Sequence, residues 1–317
     1  MNDDYLWDGS GVPDPEIQRM ERALEPFRYR TQPARVPHMR WAATAAAAAA
    51  VVLAAVFIAR TPVSTAPPAA WQVASLEGTA RLGSGSVRID MAVRPGQVVT
   101  TGGGSAVTLE SEPVGRIDLG PDSELHTSVG RTVTLERGIL HAFIWAPPRE
   151  FVVETPSARA VDLGCEYTLK VDRSGNGLLQ VSMGWVAFQY DGHEAFIPAG
   201  AECTTTRHTG PGIPYYEDAA PPFRAALAMW DKGGLGTVLA EARPRDGLTL
   251  WHLLTRVAPA QRGVVFDRFA QLIALPPEVR RDAAIRGDAH TVDLCWNALN
   301  LENTSWWRGW ERAWRSQ

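Results

Sequence analysis

The sequence lacks the residue clusters on which metal proteins and disulfide-rich proteins depend. Its three cysteines, at positions 165, 203 and 295, are too few and too scattered for a metal cluster or a disulfide framework. The seven histidines are dispersed as well. His290 and Cys295 are two residues of types that bind metals, but they lie on a predicted helix, where we expect them to be structural. We therefore expect no metal and no cofactor.

Motifs for phosphate binding and for nucleophilic catalysis are also missing. Residues 102–105 are glycine-rich but lack the lysine and the following helix of a phosphate-binding loop. Ser123 has no neighbouring residue that would serve as its general base. The formal net charge of −4 gives no electrostatic footprint for nucleic acid. We assign no catalytic residue and expect neither an enzyme nor a nucleic-acid-binding protein.

One long apolar run, residues 41–59, is present and carries no charged residue. At about 1.5 Å per residue, a helix of this length covers about 30 Å, the thickness of a bilayer's hydrocarbon core. The alternative of a buried, alanine-rich helix is disfavoured because no polar stripe recurs at helical spacing. The run therefore predicts a single transmembrane helix.

Arginines crowd the N-terminal side of this run, at positions 28, 30, 35 and 40, whereas Arg60 is the first on the other side. By the positive-inside rule, this asymmetry predicts a cytoplasmic N-terminus and places residues 60–317 across the membrane. If translation began at Met39, the same run would instead predict a cleaved signal peptide.

The leader, residues 1–40, combines a short apolar motif with an amphipathic segment. Ile17, Met20 and Leu24 recur at i, i+3 and i+7, and acidic residues precede them, as at the start of a helix. So small an element more often binds a partner through its apolar face than forms its own core; the alternative is a disordered tail. The predicted partner-binding residues are Leu6, Trp7, Ile17, Met20 and Leu24.

From residue 71 to 206, apolar residues alternate in short runs that end at glycine, proline or aspartate. This pattern predicts an all-β region, which residues 60–70 join to the apolar run as a proline-rich linker. Residues 161–171 predict one strand, with the odd-numbered residues buried and Asp162 on the solvated face. Residues 174–177 and 191–192 predict hairpin turns, and a phase change at Gly184 predicts a β-bulge.

Short turn-and-strand motifs follow one another through this β region. They read RPGQVVT (94–100), GRIDLGPDSEL (115–125), LERGIL (135–140), FVVETPSARAV (151–161), VDLGCEYTL (161–169), MGWV (183–186) and IPAG (197–200). Their types and order resemble those of the FecR family of membrane-bound sigma-factor regulators, with Cys165 in place of the family's threonine. The leader motif YLWDG, followed by Glu16 and Glu21, resembles zinc-type anti-sigma proteins. The leader has no cysteine and only His38, which excludes their metal site.

The resemblance implies a periplasmic β domain of stacked hairpins, β-helical or sandwich-like, on a single-pass protein of the bacterial inner membrane. It implies a sigma factor as partner of the leader and an envelope protein or ligand for the β domain. It implies no catalytic residues, because the motif residues are turn and core positions. These positions are Gly96, Gly138, Pro156, Gly164, Gly184 and Gly200.

The C-terminal region has helical periodicity. Short helices are predicted at 225–230, 235–241, 248–257, 264–274, 277–285, 290–299 and 304–314. Pro277 is placed for the first turn of its helix. Tryptophan is frequent here, and Trp307, Trp310 and Trp314 share one face of the last helix. Either the tryptophans form a small helical core, or they present an aromatic patch to a partner or a membrane.

The predicted fold is a multidomain α+β chain. Its parts are a cytoplasmic leader (1–40), a transmembrane helix (41–59), a linker (60–70), a FecR-like β domain (71–206), a linker (207–222) and an α-helical domain (223–317). The favoured function is a regulator that binds an extracytoplasmic-function sigma factor through the leader and senses an envelope signal through the β domain. The alternative is an envelope adhesion or scaffold protein anchored by the leader. The sequence does not decide whether Cys165 and Cys203 form a disulfide.

Overall fold

A computed structural model describes residues 71–301 and, within the leader, Pro15, Gln18 and Arg19. The strands and helices within residues 71–301 belong to one compact unit. Strands come first along the chain. They are β1 (Trp71–Glu77), β2 (Ala80–Leu82), β3 (Gly85–Ser86), β4 (Ala92–Val93), β5 (Val98–Thr101), β6 (Ala106–Ser111), β7 (Gly115–Leu119), β8 (Glu124–Thr127), β9 (Thr132–Ile144), β10 (Val152–Glu154), β11 (Arg159–Asp162), β12 (Glu166–Val171), β13 (Gly177–Met183), β14 (Trp185–Tyr190), β15 (His193–Pro198), β16 (Ala201–Thr206), β17 (Gly210–Pro211) and β18 (Tyr215–Tyr216).

The strands form two sheets, here called sheet A and sheet B, that enclose one hydrophobic core. Sheet A has the order β4-β1-β6-β7-β9-β12-β13-β16, and both β17 and β18 pair with the outer side of β16. Sheet B has the order β3-β2-β5-β8-β9-β10-β11-β14-β15. Among the described pairs, only β9 and β10 run parallel. Of the predicted arrangements, this is the sandwich-like one.

The long strand β9 belongs to both sheets because the chain crosses between them at Gly138. Arg137 pairs with β8 in sheet B, whereas Gly138 pairs with β12 in sheet A. Gly138 has φ +102°, and an added Cβ would lie 2.4 Å from the Cα of Ser123. Only glycine fits there. The Ser123 hydroxyl occupies the crossing and accepts a hydrogen bond from the Ile139 amide at 2.9 Å.

The predicted hairpin turns at residues 174–177 and 191–192 are confirmed as the β12–β13 and β14–β15 connections. The predicted bulge at Gly184 is displaced. The register between β12 and β13 shifts so that Tyr167 faces Val181 and Glu166 faces Met183. Gly184 itself lies just beyond, with φ +71°, where the chain leaves sheet A for sheet B.

The helical part begins after β18. Its helices are α1 (Pro221–Leu227), α2 (Leu235–Glu241), α3 (Gly247–Arg256), α4 (Pro259–Leu272), α5 (Arg281–Arg286) and α6 (Ala289–Asn297), with 3₁₀ turns at Trp230–Lys232 and Pro244–Asp246. The helix predicted at 235–241 is confirmed, and the others differ at their ends. Pro277 precedes α5 instead of starting it. The helix predicted at 304–314 lies outside the described residues.

Helix α3 closes the open edge of the sandwich, which explains why its first eight residues are buried. The Phe196 amide on β15 donates to His252 Nε2 at 3.2 Å, and His252 Nδ1 donates to the Leu248 carbonyl at 2.9 Å. On the sheet A side, Thr249 donates to the Pro214 carbonyl at 2.8 Å. The helix thus covers edge groups that would otherwise be open to pairing with another strand.

The predicted fold class is corrected in its membrane-spanning part. Within residues 71–301 the chain is mostly β with a helical part after it, and no helix there has the length and apolar character needed to cross a membrane. The longest of these, α4, has 14 residues and so extends about 21 Å, short of the roughly 30 Å hydrocarbon core. Residues 41–59, where the span was predicted, lie outside the described residues.

Candidate functional site

The predicted partner-binding residues of the leader, Leu6, Trp7, Ile17, Met20 and Leu24, lie outside the described residues. The neighbouring positions 15, 18 and 19 are helical and exposed. The candidate sites within residues 71–301 are therefore the motif positions of the β region, a buried polar cluster beside them and a charged groove on sheet B.

The motif glycines lie at turns and at the crossings between the sheets, all with positive φ. Gly96 lies in the turn before β5, and Pro156 in the β10–β11 turn. The other four lie where the chain passes from one sheet to the other: Gly138, Gly164, Gly184 and Gly200. A Cβ on Gly184 would lie 2.1 Å from the Gly164 carbonyl oxygen. These positions therefore form the turns and crossings of the sandwich.

A buried polar cluster lies beside the Gly164 crossing. Asp162 is fully buried; it accepts a hydrogen bond from the Gly164 amide at 2.7 Å and another from the Cys165 thiol. Burial raises the pKa of Asp162 to about 6, although these two hydrogen bonds act to lower it. The prediction that Asp162 faces solvent is wrong, because residues 161–171 form two strands in different sheets with a turn between them.

The thiols in the described region are not activated. Burial raises the pKa of Cys165 well above its usual value, and nearby Asp162 raises it further. Burial also raises the pKa of Cys203 and of Cys295, each to about 12. All three cysteines are free, so the structure contains no bridge between Cys165 and Cys203. No trio of His, Cys, Asp or Glu side chains within the described residues is placed to hold a metal ion.

A groove of about 640 Å³ lies on sheet B, against β8 and β9 and the turns at residues 155–158 and 172–177. Glu124 lines it and accepts hydrogen bonds from Arg137 at 2.7 Å and from His126 at 3.2 Å. Arg173 and Arg207 lie at the side of the groove formed by Pro156 and Gly175. Neither guanidinium has an ion-pair partner among residues 71–301, so both are available to an anionic group.

The sequence pattern did not predict this groove. Its charged residues come from the β7–β8 turn, β8, β9, the β12–β13 turn and the segment after β16. They are far apart in sequence and share no spacing, and only the pairing of β8 with β9 and the packing of the turns bring them together. The one local signal was the Thr-Pro pair at 155–156, which marked the β10–β11 turn.

Comparison with known proteins gives distant likenesses. No family model and no curated protein matches the chain. Two crystal structures of a candidate anti-sigma factor from Parabacteroides distasonis ATCC 8503 are similar to it. The first, at 1.65 Å, has 16% identity and a TM-score of 0.34 over 43% of this chain and 65% of that one. The second, at 2.50 Å, has 17% identity and a TM-score of 0.33 over 43% and 64%. This chain spans less than two thirds of either.

Proposed function

We propose that the chain is a FecR-type regulator that binds a sigma factor through its leader and receives a signal through its β region. The observation that carries this proposal is the order of the FecR-like motifs in the sequence, together with the positions their glycines take. A resemblance built on turn residues is informative when those residues lie where the backbone needs them. Gly138 and Gly184 lie at crossings where a Cβ would collide with the opposing chain.

The groove on sheet B is the part of the β region suited to receive the signal. Arg173 and Arg207, which have no ion-pair partner among residues 71–301, lie at one side of the groove. The acidic residues Asp122, Glu124 and Glu136 also line it, and Glu124 is paired with Arg137. Guanidinium groups bind carboxylates and phosphates through paired hydrogen bonds. We therefore propose a ligand that carries an anionic group. The absence of an enzymatic site stays a prediction.

The sigma-factor interaction is tested by co-purification of the full chain with a sigma factor encoded beside it. Changing Leu6, Trp7 and Leu24 together to Asp removes the apolar face and should abolish co-purification. Arg19, which is exposed, provides the matched control, and Arg19→Ala should still bind. If the triple variant binds as the wild type does, the leader does not carry the interaction and the proposal fails.

A further inference from the structure

The outer face of sheet A carries an uncovered apolar surface, here called the aromatic face and defined by Phe143, Trp145 and Met183. These side chains are 40%, 51% and 48% exposed. The rings of Phe143 and Trp145 meet edge to face, with centroids 6.0 Å apart. Glu166 lies between the two apolar ends, because it pairs with Phe143 on one side and Met183 on the other. Large apolar side chains grouped in this way mark interaction surfaces.

The last described residue, Leu301, lines a cavity beside the chain crossing that follows Met183. Leu301 lines a cavity of about 340 Å³ together with Ala199 and Tyr216. The Ala199 amide donates to the Gly184 carbonyl at 2.9 Å, and Gly184 directly follows Met183. Neighbouring strands lie about 4.8 Å apart, so Phe143, two strands beyond Met183, is about 10 Å further along the same end of sheet A.

The segment that follows, residues 302–317, matches the aromatic face in length and chemistry. As a helix it would extend about 24 Å, more than twice the roughly 10 Å that separates the strands of Met183 and Phe143. Its sequence places Trp307, Trp310 and Trp314 at i, i+3 and i+7 and intersperses Arg308, Arg312 and Arg315. Arginine stacks on exposed aromatic rings.

Charged residues lie on and beside the aromatic face, and acidic ones predominate. Across sheet A, Glu110 pairs with Arg116 and Arg116 with Phe143, so Glu110 and Glu166 lie on opposite sides of Phe143. Glu112 is exposed, and its carbonyl accepts a hydrogen bond from the Trp145 indole at 2.6 Å. Three acidic residues, Glu110, Glu112 and Glu166, thus lie on or beside the aromatic face, with Arg116 between Glu110 and Phe143. This mainly acidic surface suits a segment that alternates tryptophan and arginine.

We propose that residues 302–317 dock in cis on the aromatic face and cover Phe143, Trp145 and Met183. This inference is independent of the sigma-factor proposal, because it rests on the exposure of this face, the position of Leu301 and the composition of the terminal segment. It gives the C-terminal tryptophans a binding surface within the chain itself.

Hydroxyl-radical footprinting of the full chain tests this inference through the oxidation rate of Met183. Methionine oxidation follows exposure. A full-length variant with Trp307, Trp310 and Trp314 all changed to Asp should therefore oxidise Met183 at least about threefold faster than the wild type. Met229, 54% exposed in the helical part, is the internal control and should react equally in both proteins.

Equal Met183 rates in the wild type and the variant would overturn the proposal. Dilution separates cis docking from docking by a second copy. Protection of Met183 that persists on dilution supports the proposal, and protection that is lost on dilution assigns the segment to another molecule and overturns it. A second variant, Phe143→Ser with Trp145→Ser, should raise the Met183 rate in the same way while the tryptophan segment is intact.

Discussion

The two outer faces of the sandwich differ in what covers them. On sheet B, Trp185 and Phe196 pack against Trp296 with ring centroids 5.9 and 6.0 Å away, and Trp251 approaches Trp296 to 4.8 Å. On sheet A, the aromatic face has comparable side chains that are about half exposed. Both faces carry aromatic residues, but the described helices cover only one of them. An aromatic row in a strand thus indicates a contact surface without indicating its partner.

The largest effect should come from breaking a crossing that holds the two faces together. In Gly184→Ala the new Cβ would lie 2.1 Å from the Gly164 carbonyl oxygen, at a φ that L-residues rarely adopt. We expect a loss of more than about 4 kcal/mol in the free energy of unfolding, measured by urea denaturation. Gly192→Ala is the matched control, since φ is +75° there but nothing lies within 4 Å; it should cost about 1 to 2 kcal/mol. Equal losses would contradict the close approach.

The next effect concerns the covered face. Trp296 is 1% exposed and lies between the helices and sheet B. Trp296→Ala should reduce the free energy of unfolding by about 3 to 5 kcal/mol, as expected for a large aromatic removed from a core. Urea denaturation of the full chain measures it. A loss below about 1 kcal/mol would mean that the helices contribute little to covering this face.

The pH dependence of stability should reflect two buried groups whose pKa values are shifted in opposite directions. Burial lowers the pKa of His252 to about 3 from 6.5. As the pH drops below about 6.5, His252 is therefore protonated in the unfolded chain but not in the folded chain, and the stability falls. Burial raises the pKa of Asp162 to about 6 from 3.8, so its contribution is present at low pH and is lost as pH rises through 6. Between about pH 4 and 6 the two slopes, each about 1.4 kcal/mol per pH unit, oppose each other.

Removing either group should therefore expose the slope of the other. As the pH rises from 4 to 6, the free energy of unfolding of Asp162→Asn should increase relative to that of the wild type by about 1.4 kcal/mol per pH unit. His252→Gln should change in the opposite direction over the same range. Urea denaturation at several pH values measures both variants. If the free energies of unfolding of both variants changed with pH as that of the wild type does, neither group would have a shifted pKa in the folded protein.

The smallest effect on stability is expected in the groove, on the part of sheet B at β8 and β9. Arg173 and Arg207 have no ion-pair partner among residues 71–301, so changing both to Ala should alter the free energy of unfolding by no more than about 0.5 kcal/mol. The same variant should lose the response to the signal. A stability loss above about 2 kcal/mol would instead make these arginines structural.

The sequence predicted the β region, its hairpin turns and most helices, because these depend on local periodicity and on glycine. It did not predict that residues 161–171 divide between two sheets. The odd-numbered residues stay buried through the turn, so the alternation continues even though Gly164 lies at a crossing with φ +88°. The sequence also predicted a linker at residues 207–222, a segment in which the short strands β17 and β18 extend sheet A.

The candidate sites were less predictable than the fold. The groove depends on which turns lie side by side, and the buried state of Asp162 depends on hydrogen bonds that the crossing creates. Neither property has a period or a spacing in the sequence. The tryptophans of the helical part illustrate the same limit. Trp251 and Trp296 form core contacts, as one of the two interpretations predicted. The later tryptophans lie outside the described residues.

Transcription from a promoter that depends on the neighbouring sigma factor tests the central claim most directly. Deleting this chain should change the output and remove its response to the signal. The Arg173→Ala, Arg207→Ala variant should fix the output at one level while it still co-purifies with the sigma factor. Identical output with and without the chain, under inducing and non-inducing conditions, would mean that the chain does not regulate this sigma factor.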